Sequence, residues 1–193
     1  NRDEDGGGGG DPLAQTFMIT KPGGMFITKM DFFFSAKDEN MPVWCEIRYV
    51  VNSYPVAKVL PFGRKVLNPS QVNLDAETGN VATSFVFDSP VFVQTGTEYC
   101  VVLQTDSLDY RVWIAQMGET DVSGSERVIS KQPTLGVLFK SQNNRTWNAI
   151  QMEDLKFTMH RAQFKNASGT AVLENKSVNL DSTATKEDGE TIC

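Results

Sequence analysis

At 193 residues the chain is long enough for one sizeable core with tails. Its 40% hydrophobic and 22% charged residues are those of an ordinary globular protein, and twelve Phe, three Trp and four Tyr tilt it toward β structure. A formal net charge of −6 argues against sequence-independent binding to a phosphate backbone, which needs clustered Lys and Arg.

No apolar run is long enough to span a bilayer, and no signal peptide with a basic start and an apolar centre is present. A start at Asn1 and an end at Cys193 after a polar stretch lead us to expect a piece of a longer polypeptide. The first ten residues, Asn1-Arg-Asp-Glu-Asp5 and then Gly6–Gly10, read as a flexible acidic linker. They do not form a calcium loop, because the twelfth position counted from Asp3 is Ala14 where a bidentate Glu is needed.

From Gln15 the sequence reads as short strands separated by turn signals. Gln15–Thr20 ends at Lys21-Pro-Gly-Gly24. Met25–Ala36 carries Phe26, Met30, Phe32 and Phe34 on one parity, with Lys29 and Asp31 on the other. Val43–Val51 alternates Val43, Cys45, Ile47, Tyr49 and Val51 with Trp44, Glu46 and Arg48, which predicts one buried and one wetter face. Asn52-Ser-Tyr-Pro55 is a turn, Ala57–Leu60 a strand, and Val66–Leu74 a long connection. Val81–Phe87, Val91–Val93, Glu98–Thr105 and Tyr110–Gln116 follow as strands, with Asp88-Ser-Pro90 as a turn. Gly118–Lys131 reads as a surface loop; Leu135–Lys140, a piece near Trp147, and Leu155–Phe164 complete the set. Lys165–Cys193 is polar and reads as a linker, or an arm that orders on assembly.

Many short strands without a helical period predict an all-β fold, an antiparallel β-sandwich or a barrel with flexible N- and C-terminal extensions, and periodicity alone does not separate a jelly roll from other Greek-key sandwiches. The expected divisions are residues 1–10, 11–164 and 165–193.

The residue chemistry points to no reaction. His160 is the one histidine and reads as a solvated or hydrogen-bonded strand residue, since no nucleophile and orienting carboxylate are evident beside it. Asp31 and Glu46 fall on strand exteriors, the usual place for solubilising charge. Three cysteines with no CxxC pair give no zinc spacing. Cys45 and Cys100 are expected to be reduced core residues, a bridge between facing sheets being the alternative. No glycine loop for nucleotide phosphates precedes a helix. No catalytic, cofactor-binding or metal-binding residue is assigned. Trp44 and Trp113 fall opposite the core parity of their strands, and with Tyr110 and Trp147 they are the candidate contacts for a protein interface or a glycan. Cover by the same chain is the competing reading. Asn144-Arg-Thr146, Asn166-Ala-Ser168 and Asn175-Lys-Ser177 match glycosylation sequons, a pattern that often arises by chance.

Several segments carry a wider resemblance. They are Asp11-Pro-Leu-Ala-Gln-Thr-Phe17, Gly23-Gly-Met-Phe-Ile-Thr28, Val43–Val50, Ser89-Pro-Val91, Gly96-Thr-Glu-Tyr99, Tyr110-Arg-Val-Trp-Ile114, Gln132-Pro-Thr-Leu-Gly136, Leu138-Phe-Lys-Ser141 and Asp154-Leu-Lys-Phe157. Together, from Asp11 to Phe164, they resemble a jelly-roll β-sandwich module of virion proteins of contractile-tailed bacteriophages, most like a baseplate wedge protein. The resemblance implies a structural role without enzyme activity or cofactor, in a virion assembled in the bacterial cytoplasm. Its implied partners are other tail and baseplate subunits, not nucleic acid or membrane. A carbohydrate-binding jelly roll that contacts a host-surface glycan is the alternative.

Overall fold

The computed structural model describes residues 10–116, 136–165 and 170. The expected loop Gly118–Lys131, most of the expected linker and nearly all of the polar tail lie outside them. One compact unit runs from Asn1 to Ala162 and a second from Gln163 to Cys193; the sandwich belongs to the first.

Among the described residues twelve strands and one short 3-10 turn, Pro69–Gln71, make up the regular structure. The larger sheet holds β1 (Leu13–Met18), β3 (Val43–Val51), β4 (Tyr54–Leu67), β6 (Glu98–Thr105), β9 (Leu138–Lys140) and β10 (Asn148–Ile150), in the order β10-β9-β1-β6-β3-β4. The smaller sheet holds β12 (Phe157–Arg161), β2 (Met25–Ala36) and β5 (Ala82–Val93), and β7 (Arg111–Val112) continues beside β2. β8 (Ile114–Gln116) and β11 (Glu153–Leu155) form a separate pair. All of these pairings are antiparallel.

The pairings are nested. β3 pairs with β4 through the turn at Asn52-Ser53, β2 pairs with β5, and β1 pairs with β6. That is a long two-stranded ribbon, rolled until β6 also meets β3, so the fold is a jelly-roll-like sandwich. Asn52 and Ser53 both have positive φ (51° and 64°), which matches the twist of a two-residue hairpin. β4 therefore begins at Tyr54, inside the stretch expected to be a turn.

The core lies between the sheets. Phe17, Ile27, Met30, Phe32, Phe34, Val43, Cys45, Ile47, Phe85, Val91, Val93 and Val101 are among its fully covered members. Phe32 and Phe85 meet edge to face at 5.5 Å, a favoured aromatic geometry. Burial of each large side chain is worth about 1.5–3 kcal/mol before ordering costs.

Three expectations change, and bulges explain them. Lys29 pairs with Val86 but Ile27 pairs with Val91, so residues 87–90 bulge and β5 runs unbroken through the expected turn at Asp88-Ser-Pro90. The same irregularity shifts the parity of β2: Ile27 enters the core and Phe26 faces out. In β4, Arg64 pairs with Glu46 but Val59 pairs with Arg48, so residues 60–63 bulge and the strand continues to Leu67. Phe62 stands there with φ 62° and its ring exposed.

Candidate functional site

Each sheet buries one face in the core and turns the other outward. The outer face of the larger sheet bears Trp44, Glu46 and Arg48, alternating with Val43, Cys45 and Ile47 of the core. It is not a wetter face. Glu46 is 5% and Arg48 3% exposed, which corrects the expectation that Glu46 is a solubilising charge. Arg48 Nη2 lies 2.5 Å from Glu46 Oε2, and Arg48 Nε donates to the same oxygen at 2.7 Å. Arg64 approaches Glu46 Oε1 at 3.5 Å and stacks over Trp44, its guanidinium 5.5 Å from the ring centre.

The cover comes from residues 141–147. Asn144, with φ 57°, accepts from Arg48 Nη1 at 2.7 Å and exchanges bonds of 3.3 Å with Gln104. Asn143 Oδ1 accepts from the backbone N–H groups of Arg145 and Thr146, which fixes the turn. Trp147 then packs with Ala14, Cys100, Val102 and Phe139 in a second core. Asn144 is thus the first residue of a sequon match whose amide is committed inside the fold.

Cys45 sits in the main core and Cys100 in the second; both are free. Burial pushes the Cys100 thiol up to about 12 and raises Cys45 further, so neither is a thiolate near neutrality. The expectation of reduced, buried cysteines holds for these two.

The outer face of the smaller sheet is different. Phe26, Lys29, Asp31 and Phe33 of β2 line up with Ser84, Val86 and Phe92 of β5 and with Thr158 and His160 of β12. Asp31, expected on an exposed surface, is only 7% exposed. Its carboxylate accepts from Ser84 Oγ at 2.6 Å, lies 2.6 Å from His160 Nε2 and accepts from Lys29 Nζ at 3.4 Å. Burial raises its pKa, but the bonds from Ser84, His160 and Lys29 outweigh that and hold the carboxyl below its usual range. Serine, histidine and aspartate are together here, yet the carboxylate stands between the other two. The hydroxyl donates to Asp31 and not to the imidazole, so nothing activates it as a nucleophile. The group instead pins β12, β2 and β5 to one another.

At one end of this face Phe26 and Phe92 are paired across strands, 5.0 Å apart, and are 37% and 44% exposed. At the other end stand Phe33 and Trp113. Trp113 Nε1 donates to the Asp75 carbonyl at 2.8 Å, and Lys156 Nζ donates to the Gly79 carbonyl at 2.8 Å while sitting 4.7 Å over Phe33. Gly79 has φ 62°, and a Cβ there would meet the indole at 2.8 Å, so glycine is required on both counts. Asp75 holds the loop as an acceptor; the Thr78 hydroxyl and the backbone N–H groups of Thr78, Asn80 and Glu77 keep its carboxyl far below the usual range.

The four candidate contacts therefore separate. Trp147 is buried in the second core, which removes it from any contact surface. Trp44 is half-buried under Arg64 on the larger sheet. Tyr110 packs edge-on against Phe34 at 5.9 Å and donates its hydroxyl to the Met41 carbonyl at 2.7 Å. Trp113 alone borders the open face of the smaller sheet. Phe26 and Phe92, absent from the sequence candidates, are the most accessible rings on that face. The β-bulge that turns Phe26 outward leaves no mark in a parity count.

Among the described residues no group of three or more His, Cys, Asp or Glu is placed to hold a metal ion, and no helix is long and apolar enough to cross a membrane. No family model, curated protein or solved structure matches this chain.

Proposed function

We propose that this chain is a non-catalytic interaction module, a structural component of a bacteriophage tail baseplate of the wedge-like kind its sequence resembles. The observation that carries this reading is the contrast between the two outer faces. Residues 141–147 cover the middle of one, over Glu46, Arg48 and Gln104, and leave Val66 and Tyr54 exposed toward β4, while the other keeps Val86 and Phe92 exposed beside a fully bonded polar group, with Phe26 paired to Phe92. Accessible apolar residues on a rigid sheet are what a neighbouring subunit covers. The unactivated Ser84 and the protonated thiols add support for a role without chemistry. Buried free thiols also fit assembly in a reducing cytoplasm.

The glycan alternative has less behind it. A sugar site wants free polar groups around an aromatic platform, whereas the Tyr110 hydroxyl and the Trp113 N–H are both spent within the fold. The test is Phe92→Asp in the whole particle. The variant chain folds normally and fails to incorporate. Normal incorporation removes the interface reading, and saturable sugar binding lost in Trp113→Ala installs the alternative.

A further inference from the structure

We infer that copies of this chain pack end to end, the aromatic pole of one against the acidic pole of the next; this rests on reading the chain as an interaction module. Both poles lie along β2, whose twelve residues span roughly 40 Å. At its start are the exposed rings of Phe26 and Phe92. The cations there are Lys21 and Arg161, the latter opposite Ile27, while Lys29 is held by Asp31 and Lys65 is paired with Asp88 in the nearby bulge; Glu98, beside Met18 in the register of β1 and β6, is a further carboxylate at that end.

At the far end of β2 the chain runs into Asp38 and Glu39, and the turn after β6 brings Asp106 and Asp109 beside them. Ser107 Oγ donates to Asp38 Oδ2 at 2.6 Å, which ties the two loops together. Gly10 lies against the Ser107 carbonyl, so Asp11 joins the same pole. In the middle of this acidic rim stand Leu108, 73% exposed, and Met41, 38% exposed. The cations at this end are Arg111 and Lys37, and the Lys37 ammonium is directed into the carbonyls of Pro69 and Val72 at 2.9 and 3.2 Å.

Each pole is thus an apolar knob with a charged rim: outside the ion pairs, Lys21 and Arg161 against Glu98 at one, and Asp11, Asp38, Glu39, Asp106 and Asp109 against Lys37 and Arg111 at the other. Two acidic poles repel, and the acidic pole meets Lys21 and Arg161 on the aromatic one, so a second copy is the occupant that the charges select. Because the two patches differ, the contact is heterologous; it closes into a ring or extends as a file of subunits instead of a two-fold dimer. An apolar centre inside an ionic rim makes the association weaken with salt.

Analytical ultracentrifugation of the full chain tests this with two exposed substitutions, Phe92→Asp and Leu108→Lys, both checked for folding by circular dichroism. The wild type sediments as larger species with rising concentration, and less so in high salt. Each variant alone associates at least ten-fold more weakly. An equal mixture of the two regains one intact contact and stops at dimers. A wild type that stays monomeric overturns the proposal, as does either variant associating like the wild type, or a mixture without dimers. The baseplate reading fails separately: it falls if Phe92→Asp enters particles normally, and it survives if only Leu108→Lys does.

Discussion

The two outer faces of the sandwich start from similar material and end differently. Both set charged residues among aromatic ones on the side of a sheet away from the core. On the larger sheet the chain returns over its own surface: Arg48 gives two donors to Glu46 and a third to Asn144, and Trp147 closes a second core. On the smaller sheet Asp31 gathers Ser84, His160 and Lys29 into a closed polar group, and the Phe92 ring and Val86 beside it stay partly exposed. A face is free for a partner when the chain has satisfied its polar groups but not covered its apolar ones.

Breaking the covered face has the largest effect. Arg48→Ala leaves the buried Glu46 carboxylate with only the exposed Arg64 at 3.5 Å and costs about 3 kcal/mol, read as a fall in the denaturation midpoint. Trp147→Ala empties the second core at a cost of about 3–5 kcal/mol, and it raises the reactivity of the Cys100 thiol, which packs beside it. Gly79→Ala meets a clash with the Trp113 indole and a left-handed φ together, so it lowers stability by about 1–3 kcal/mol and changes the Trp113 fluorescence.

On the open face the polar group responds to acid. The Asp31 carboxyl titrates lower in the fold than in the unfolded chain, where an aspartate has a pKa of about 3.9. Its contribution is therefore complete above that value and is lost as the pH falls through the lower, folded-state value. Asp31→Asn lowers stability at neutral pH, and the gap to the wild type narrows below about pH 4. The difference between the two proteins isolates Asp31, because Asp38 and Asp75 are also held low and shape the acid limb of both. The smallest change in folding belongs to Phe92→Ser, within about 0.5 kcal/mol of the wild type, although it removes half of the aromatic pair.

Alternation was enough to read most of the strands and the all-β class. Val43–Val51 and Glu98–Thr105 have the bounds the pattern predicts, and Cys45 and Ile47 point inward as their parity requires. The pattern fails where a bulge resets it, at Phe26 and through 87–90, because extra residues in one strand depend on what its partner can accommodate. Trp44, Glu46 and Arg48 were legible as one face, but not as a covered one. The cover lies nearly a hundred residues away, in Asn144 and Trp147, and no local rule links a sequon-like asparagine to a buried arginine. The spacing of Glu46 and Arg48, two apart on one strand, was the available hint of their pairing.

The central claim is that the outer face of the smaller sheet is covered in the assembled particle. Hydroxyl-radical footprinting of the free chain and of the particle tests it directly. Phe26 and Phe92 are predicted to be reactive in the free chain and protected in the particle, with Trp147 protected in both. Equal reactivity of Phe26 and Phe92 in the two states would contradict the claim.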